Sequence, residues 1–196
     1  MTVSASTVVV VGGVMANGNA RYGGGIAAQK GSSVVVSGLQ SSGNRATSGG
    51  AYYLVDNAAV SVVNVVCDGN AAKDGGCAYI SGTLSAGVGA QFDAVNSIFT
   101  GNVASRRGGA LLVAGDSTVA VNGSALGSNI AFVHGGGVFH STSAAMSTTG
   151  TSYTLNQVRA CGRAWWWSAR KMLQCDAAAA ACDAKPWVAR CGRAPF

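Results

Sequence analysis

Side chains able to do chemistry are few in this sequence and widely spaced. The acidic inventory is seven aspartates, at positions 56, 68, 74, 93, 116, 176 and 183, with no glutamate. Asp56 and Asp116 fall at comparable places after glycine pairs. In a chain wound into stacked turns about 4.8 Å apart they would stand roughly 10 Å from each other, which borders the separation of an inverting carboxylate pair. No flanking motif accompanies them, so two solvated turn residues are the favoured reading. Asp68 and Asp74 flank an Asn-centred turn, where Asp is a common turn former. Calcium-assisted lyase chemistry would need a cluster of Asp with a basic residue acting as base. Polygalacturonase-like hydrolysis would need grouped Asp in motifs such as N-T-D and D-D, and neither pattern occurs.

His134 and His140 sit on either side of "GGGVF". A metal or catalytic role would need partners from adjacent repeats, and the aligned position offers Arg107 instead, which favours ordinary surface or partly buried histidines. Arg106 and Arg107 could hold an anion, although such a pair is more simply a solvated turn. Cys67 and Cys77 bracket one turn, and Cys67 takes an inward apolar place, which favours a buried thiol over a disulfide. Asn122-Gly123-Ser124 is an N-glycosylation sequon, relevant only if the protein is secreted. Thr is not arrayed in T-x-T columns, so an ice-binding face is unsupported. No catalytic residue, metal or cofactor is expected.

The elements that must position these residues are repetitive. Asn19, Asn44, Asn70, Asn102, Asn129 and Asn156 recur at spacings of 25, 26, 32, 27 and 27. Around five of them one phrase returns: "GNARYGGGI" (18–26), "GNRATSGGAY" (43–52), "GNAAKDGGCA" (69–78), "GNVASRRGGAL" (101–111) and "SNIAFVHGGGV" (128–138). The first two copies align without a gap, setting Val9, Val10, Val11, Gly13 and Val14 on Val34, Val35, Val36, Gly38 and Leu39. A unit of this length, with three short β-rich segments, cannot bury its own apolar face, whereas stacked units can. The framework of a leucine-rich repeat is missing, and the unit is too short for a propeller blade. The reading is an all-β chain forming a right-handed parallel β-helix solenoid of about five to six coils over residues 1–158.

Within each coil the Asn would occupy a turn and stack its amide on those above and below as a ladder. The residue three before it (Cys67, Phe99, Leu126, Tyr153) would point inward. The glycine pairs Gly24-Gly25, Gly49-Gly50, Gly75-Gly76, Gly108-Gly109 and Gly135-Gly136 would make corners needing positive φ or close backbone approach.

The pairing of F-x-x-N with a following G-G-A-(I/L/V/Y) resembles the repeat of the polymorphic outer membrane proteins of chlamydiae. "FTGN" (99–102) with "GGAL" (108–111) is the strict match; "CDGN", "LGSN" and "YTLN", and "GGAY", "GGCA" and "GGGV", are relaxed forms. The resemblance covers roughly residues 1–158. It implies a non-enzymatic adhesion or structural module that is extracellular or on a cell surface, with surface glycans or host or cell-surface proteins as partners. The alternative is part of a polysaccharide-binding or polysaccharide-cleaving, pectate lyase-like β-helix protein; a non-functional fragment is the third reading. Exposed coil ends would favour self-association.

Composition agrees with strands and turns. Glycine numbers 29, proline 2, and charged residues make up 10%. The net charge of +6 is concentrated late: residues 159–196 carry seven basic residues against two Asp, residues 1–158 six against five. No stretch reads as a membrane span or a signal peptide, and no specific nucleic-acid partner is expected. Residues 159–196 break the pattern with four Trp and with Cys161, Cys175, Cys182 and Cys191, whose spacings fit no zinc site. This irregular tail reads as a disulfide-tied cap, a basic-aromatic patch around Trp165–Trp167, a short Ala-rich helix, or an unnatural continuation from a retained intron or shifted frame. The repeat domain is accordingly expected to be truncated at both ends.

Overall fold

The computed structural model describes residues 1–82, 89–141 and 143–159. These form a parallel β-solenoid of six coils, in which every coil contributes one strand to each of four six-stranded sheets. We name the sheets A to D in chain order. The first coil sets the scheme with Thr2–Ser4 (A), Thr7–Val11 (B), Val14–Ala16 (C) and Asn19–Tyr22 (D); the last closes it with Val138–His140, Ala145–Thr149, Ser152–Thr154 and Gln157–Val158. Among the described residues no helix is long and apolar enough to cross a membrane.

The sequence suggested three β segments per coil, and the structure has four. The segment missed is sheet D, where strands such as Arg45–Ser48 and Ala71–Asp74 carry charged and small residues rather than an apolar alternation. Sheet D needs no such alternation because it does not line the main core. One of its faces meets solvent, and the other lies over the outer side of sheet A.

Sheets A, B and C enclose the core. Val34, Val60, Phe92 and Val119 stack in one inward column of sheet B, and Val36, Val62, Ala94 and Val121 in the next, all at most 1% exposed. Sheet A adds Ile26, Tyr52, Ala78 and Leu111, then Ala28, Leu54, Ile80 and Val113. Each fully buried Val, Leu, Ile or Phe contributes about 1.5–3 kcal/mol. Because no coil buries its face alone, this gain arises only between stacked coils.

The register corrects the ungapped alignment of the first two repeats. Val8 pairs with Val34, Val9 with Val35 and Val10 with Val36, so the true offset is 26 and the pairing of Val9, Val10 and Val11 with Val34, Val35 and Val36 is one residue out. A slip of one would turn Val8 and Val10 away from the core and Val9 and Val11 into it. Val9 and Val11 are instead 63% and 78% exposed. The run of four valines carries no internal mark of which pair faces inward.

Two irregularities explain the uneven spacings. Between sheets A and B of the fourth coil, nine residues separate Ser81 from Gln91, where three separate Val55 from Ala59 one coil earlier, which accounts for the spacing of 32. Between Ala72 and Asp74 the register shifts, so that Asp74 stands opposite Arg107; this bulge and its repeat in the next coil make the spacing 27. Residues 160–196, with Cys161, Cys175, Cys182, Cys191 and the tryptophans, lie outside the described residues.

Candidate binding face and the residues that build it

The asparagine ladder runs through Asn44, Asn70, Asn102, Asn129 and Asn156. From Asn70 onward each side-chain oxygen accepts from the main-chain N–H and the side-chain amide of the Asn one coil earlier, at 2.9–3.1 Å. Each amide also donates, at 2.9 Å, to the carbonyl three residues before the previous ladder position: Met15, Ser41, Cys67, Phe99 and Leu126. Asn19 is not a member. It lies in the first sheet D strand opposite Arg45 and is exposed, while the ladder's first position is Gly18, whose N–H donates to Asn44 Oδ1. This is the same one-residue shift seen in the valines.

The corner glycines do two different jobs. Gly49, Gly75, Gly108 and Gly135 have φ of 65–67°, in the left-handed region that favours glycine. Their partners Gly50, Gly76 and Gly109 have no such φ. A Cβ there would instead stand 1.9–2.1 Å from the carbonyl oxygen of the equivalent glycine in the next coil. In the first coil these roles fall to Gly23 (φ 57°) and Gly24, not to Gly24 and Gly25. Gly25 occupies the next position, shared with Ala51, Cys77, Ala110 and Gly137. That position must be small because it faces the column three before the ladder: a Cβ on Gly25 would meet Met15 Sδ at 3.2 Å.

This opposition explains a feature the sequence did not give. Cys67 stands in the large column and Cys77 in the small one, so the large–small pairing of other coils is replaced by a disulfide, with Cα atoms 6.3 Å apart. The buried-thiol expectation is therefore overturned. Both cysteines are fully buried, but facing columns bring them together.

The Arg106–Arg107 pair is not a simple solvated turn, nor is Asp74. Asp74 is 4% exposed, and its carboxylate pairs with Arg106 and, at 3.1 Å, with Arg107 Nε. Burial pushes its carboxyl up, but the hydrogen bonds and charges of the two guanidiniums outweigh that and hold it below the usual carboxylate value. Arg107 in turn lies 5.1 Å from the centre of the Phe139 ring, with His134 6.2 Å from it. The visible signal was the lengthened spacing from Asn to the glycine pair, which marks the bulge.

The same corner carries an aromatic row. Tyr22 stacks on Tyr53 at 4.7 Å and Tyr53 on Tyr79 at 5.3 Å. Tyr53 has its hydroxyl pKa pushed up to about 12, chiefly by burial and then by Tyr79, Tyr22 and Asp56. Tyr53 and Tyr79 alternate with core residues of sheet A, so the row lies on that sheet's outer side. Leu112, next along it, is 1% exposed. The ring contacts and the burial of Ala72, Ala104 and Ala131 show the inner side of sheet D packed over this row.

The outer side of sheet D faces solvent and is basic. Arg21, Arg45 and Lys73 are exposed, one per coil, and lie on this side by strand alternation. In the fourth coil the outward place is taken by Ser105, Arg106 being turned to the buried Asp74, and exposed Arg159 directly follows the sixth coil. Among the described residues, the only ion pairs are those of Asp74 with Arg106 and Arg107.

Asp56 and Asp116 do not share a column. The register makes Asp56 the counterpart of Gly115 and Asp116 that of Asn57. Asp56 has φ of 54° in a tight turn. His134 bridges to Arg107, and His140 is exposed at the end of the last sheet A strand. Among the described residues no three His, Cys, Asp or Glu side chains converge as a metal site would need. The arrangement is that of a β-solenoid with a cationic outer sheet. No family model, curated protein or solved structure matches this chain.

Proposed function

We propose that this chain is a rod-like, non-enzymatic module acting outside the cell or at a cell surface, in adhesion or as a structural spacer. The observation that carries the reading is the buried Cys67–Cys77 disulfide, since such bonds persist in oxidising compartments and are rare in the cytosol. The likeness of the Asn and Gly-Gly repeat to polymorphic outer membrane proteins supports the same reading. The solvent-facing sheet D, with one strand from every coil, supplies a contact surface that runs the length of the stack.

The test is adhesion of the purified chain to cell surfaces, compared with a variant in which Asp56, Asp68, Asp93 and Asp116 are changed to Asn. Asp74 is left intact because it is buried and paired. Retained adhesion supports a binding module. Turnover of a panel of uronic-acid polymers that is lost in the variant would show an enzyme instead.

A further inference from the structure

We propose that the outer side of sheet D binds a linear acidic glycan, a polyuronate or sulfated polysaccharide, lying along the solenoid axis. This rests on the reading of the chain as a surface-binding module and names the ligand's chemistry.

The placement of charge carries the inference. Among residues 1–159, Arg21, Arg45, Lys73, Arg106, Arg107 and Arg159 lie in sheet D strands or directly after one, while Lys30 lies elsewhere. The one acidic residue in those strands, Asp74, is buried and already paired. The exposed side therefore carries uncompensated positive charge. Arg21 and Lys73 share an outward column with Thr47, Ser105, Phe132 and Arg159, and Arg45 stands two residues to one side in its own strand. Along the solenoid axis Arg21, Arg45 and Lys73, in three successive coils, advance by one coil rise of about 4.8 Å per cation.

That spacing suits a polymer with one carboxylate or sulfate per sugar, because a pyranose unit is close to one coil rise in length. Thr47 and Ser105, exposed between the cations, offer hydroxyls to sugar hydroxyls. A nucleic acid fits less well. In a duplex each strand's phosphates advance only about 3.4 Å along the axis, and single-strand binders use a series of free aromatic faces on which bases stack. Here the outward column offers a single aromatic, exposed Phe132, and the tyrosine faces are stacked on one another, with Arg21 over the Tyr22 ring at 5.2 Å.

The experiment is titration of the full chain with polygalacturonate, neutral dextran and oligothymidylate over a salt series. The variants are Arg21→Gln/Arg45→Gln/Lys73→Gln and, as a charge control, Lys30→Gln. All four positions are exposed, and a circular dichroism spectrum unchanged from wild type verifies the fold of each variant. The expected result is binding of polygalacturonate but not dextran, weakened about tenfold or more in the triple variant, with the salt slope reduced by about 3. Lys30→Gln retains wild-type affinity. Equal losses in the triple and control variants, no loss in either, or tighter binding of oligothymidylate through the same three residues would overturn the assignment. Cell adhesion that survives the triple variant refutes the cationic face while sparing the adhesion reading. Polygalacturonate binding without any cell adhesion has the opposite consequence.

Discussion

Changing Asn102 to Ala is the most searching perturbation of the architecture. Asn102 is fully buried. Its oxygen accepts from Asn70 N–H at 3.0 Å and from the Asn70 amide at 3.1 Å, and its own amide donates to the Cys67 carbonyl at 2.9 Å and to Asn129 Oδ1 at 3.0 Å. The alanine variant strips two buried main-chain groups, Asn70 N–H and Cys67 C=O, of these partners. Each such loss costs about 1–3 kcal/mol, and with the small void the total is about 3–5 kcal/mol. For a chain of this length that lowers the melting temperature by roughly 6–20 °C. Urea unfolding followed by circular dichroism supplies the free energy. Asn156→Ala, in the half-buried last coil, should cost only about 1 kcal/mol, and exposed Asn19→Ala no more than about 0.5 kcal/mol. The ladder argument is refuted if Asn102→Ala loses less than about 1 kcal/mol, or if Asn19→Ala loses as much as Asn102→Ala.

Further outcomes follow from individual contacts. Replacing Cys67 and Cys77 together by Ala should lower stability by about 2–3 kcal/mol through the loop they close, and a reductant should then have no further effect on the unfolding midpoint. The depressed carboxyl of Asp74 contributes stability that is present above the unfolded Asp value of about 3.9 and lost as pH falls below it; Asp74→Asn should remove that part of the acid sensitivity, measured as urea midpoint against pH. Gly76→Ala, whose Cβ would stand 2.1 Å from Gly109 O, should unfold the stack locally, whereas Gly69→Ala, with open space and only its φ of 60° to strain it, should cost about 1 kcal/mol. Tyr52 is fully buried, and its hydroxyl makes no well-formed hydrogen bond although Ser41 lies beside it; Tyr52→Phe should therefore retain or gain up to about 1 kcal/mol.

The parts of the fold readable in the sequence were those repeated with a side-chain signature. Asn at a turn, an apolar residue three before it and a glycine pair after it each answer to one local requirement, so recurrence exposed them. The first coil was misplaced by one residue because "GNARYGGGI" offers both an Asn beside Gly18 and three successive glycines, and "VVVV" has no preferred phase. Only the sheet partners decide, and those are contacts between residues 26 apart. Sheet D escaped notice for a related reason: its strands pack through alanines against the outside of sheet A, a burial that leaves no apolar alternation. The disulfide and the Asp74 cluster depend on which columns face each other, or stand opposite across a bulge, and no single repeat contains that information. The cationic face was invisible in the same way, because Arg21, Arg45 and Lys73 look scattered until the coils are laid in register.

The coil spacing is accordingly the decisive quantity, since the cationic face exists only if the coils stack in register. Val9, Val35, Ser61, Asp93, Ala120 and Ser147 form one outward column of sheet B. Paired spin labels at Val9 and, in turn, Asp93, Ala120 and Ser147, read by pulsed electron resonance, should give distances that rise by about 4.8 Å per coil, from roughly 14 to roughly 24 Å. Distances that fail to increase from Asp93 to Ala120 to Ser147, or that scatter without a common step, would contradict the in-register solenoid and with it the face built upon it.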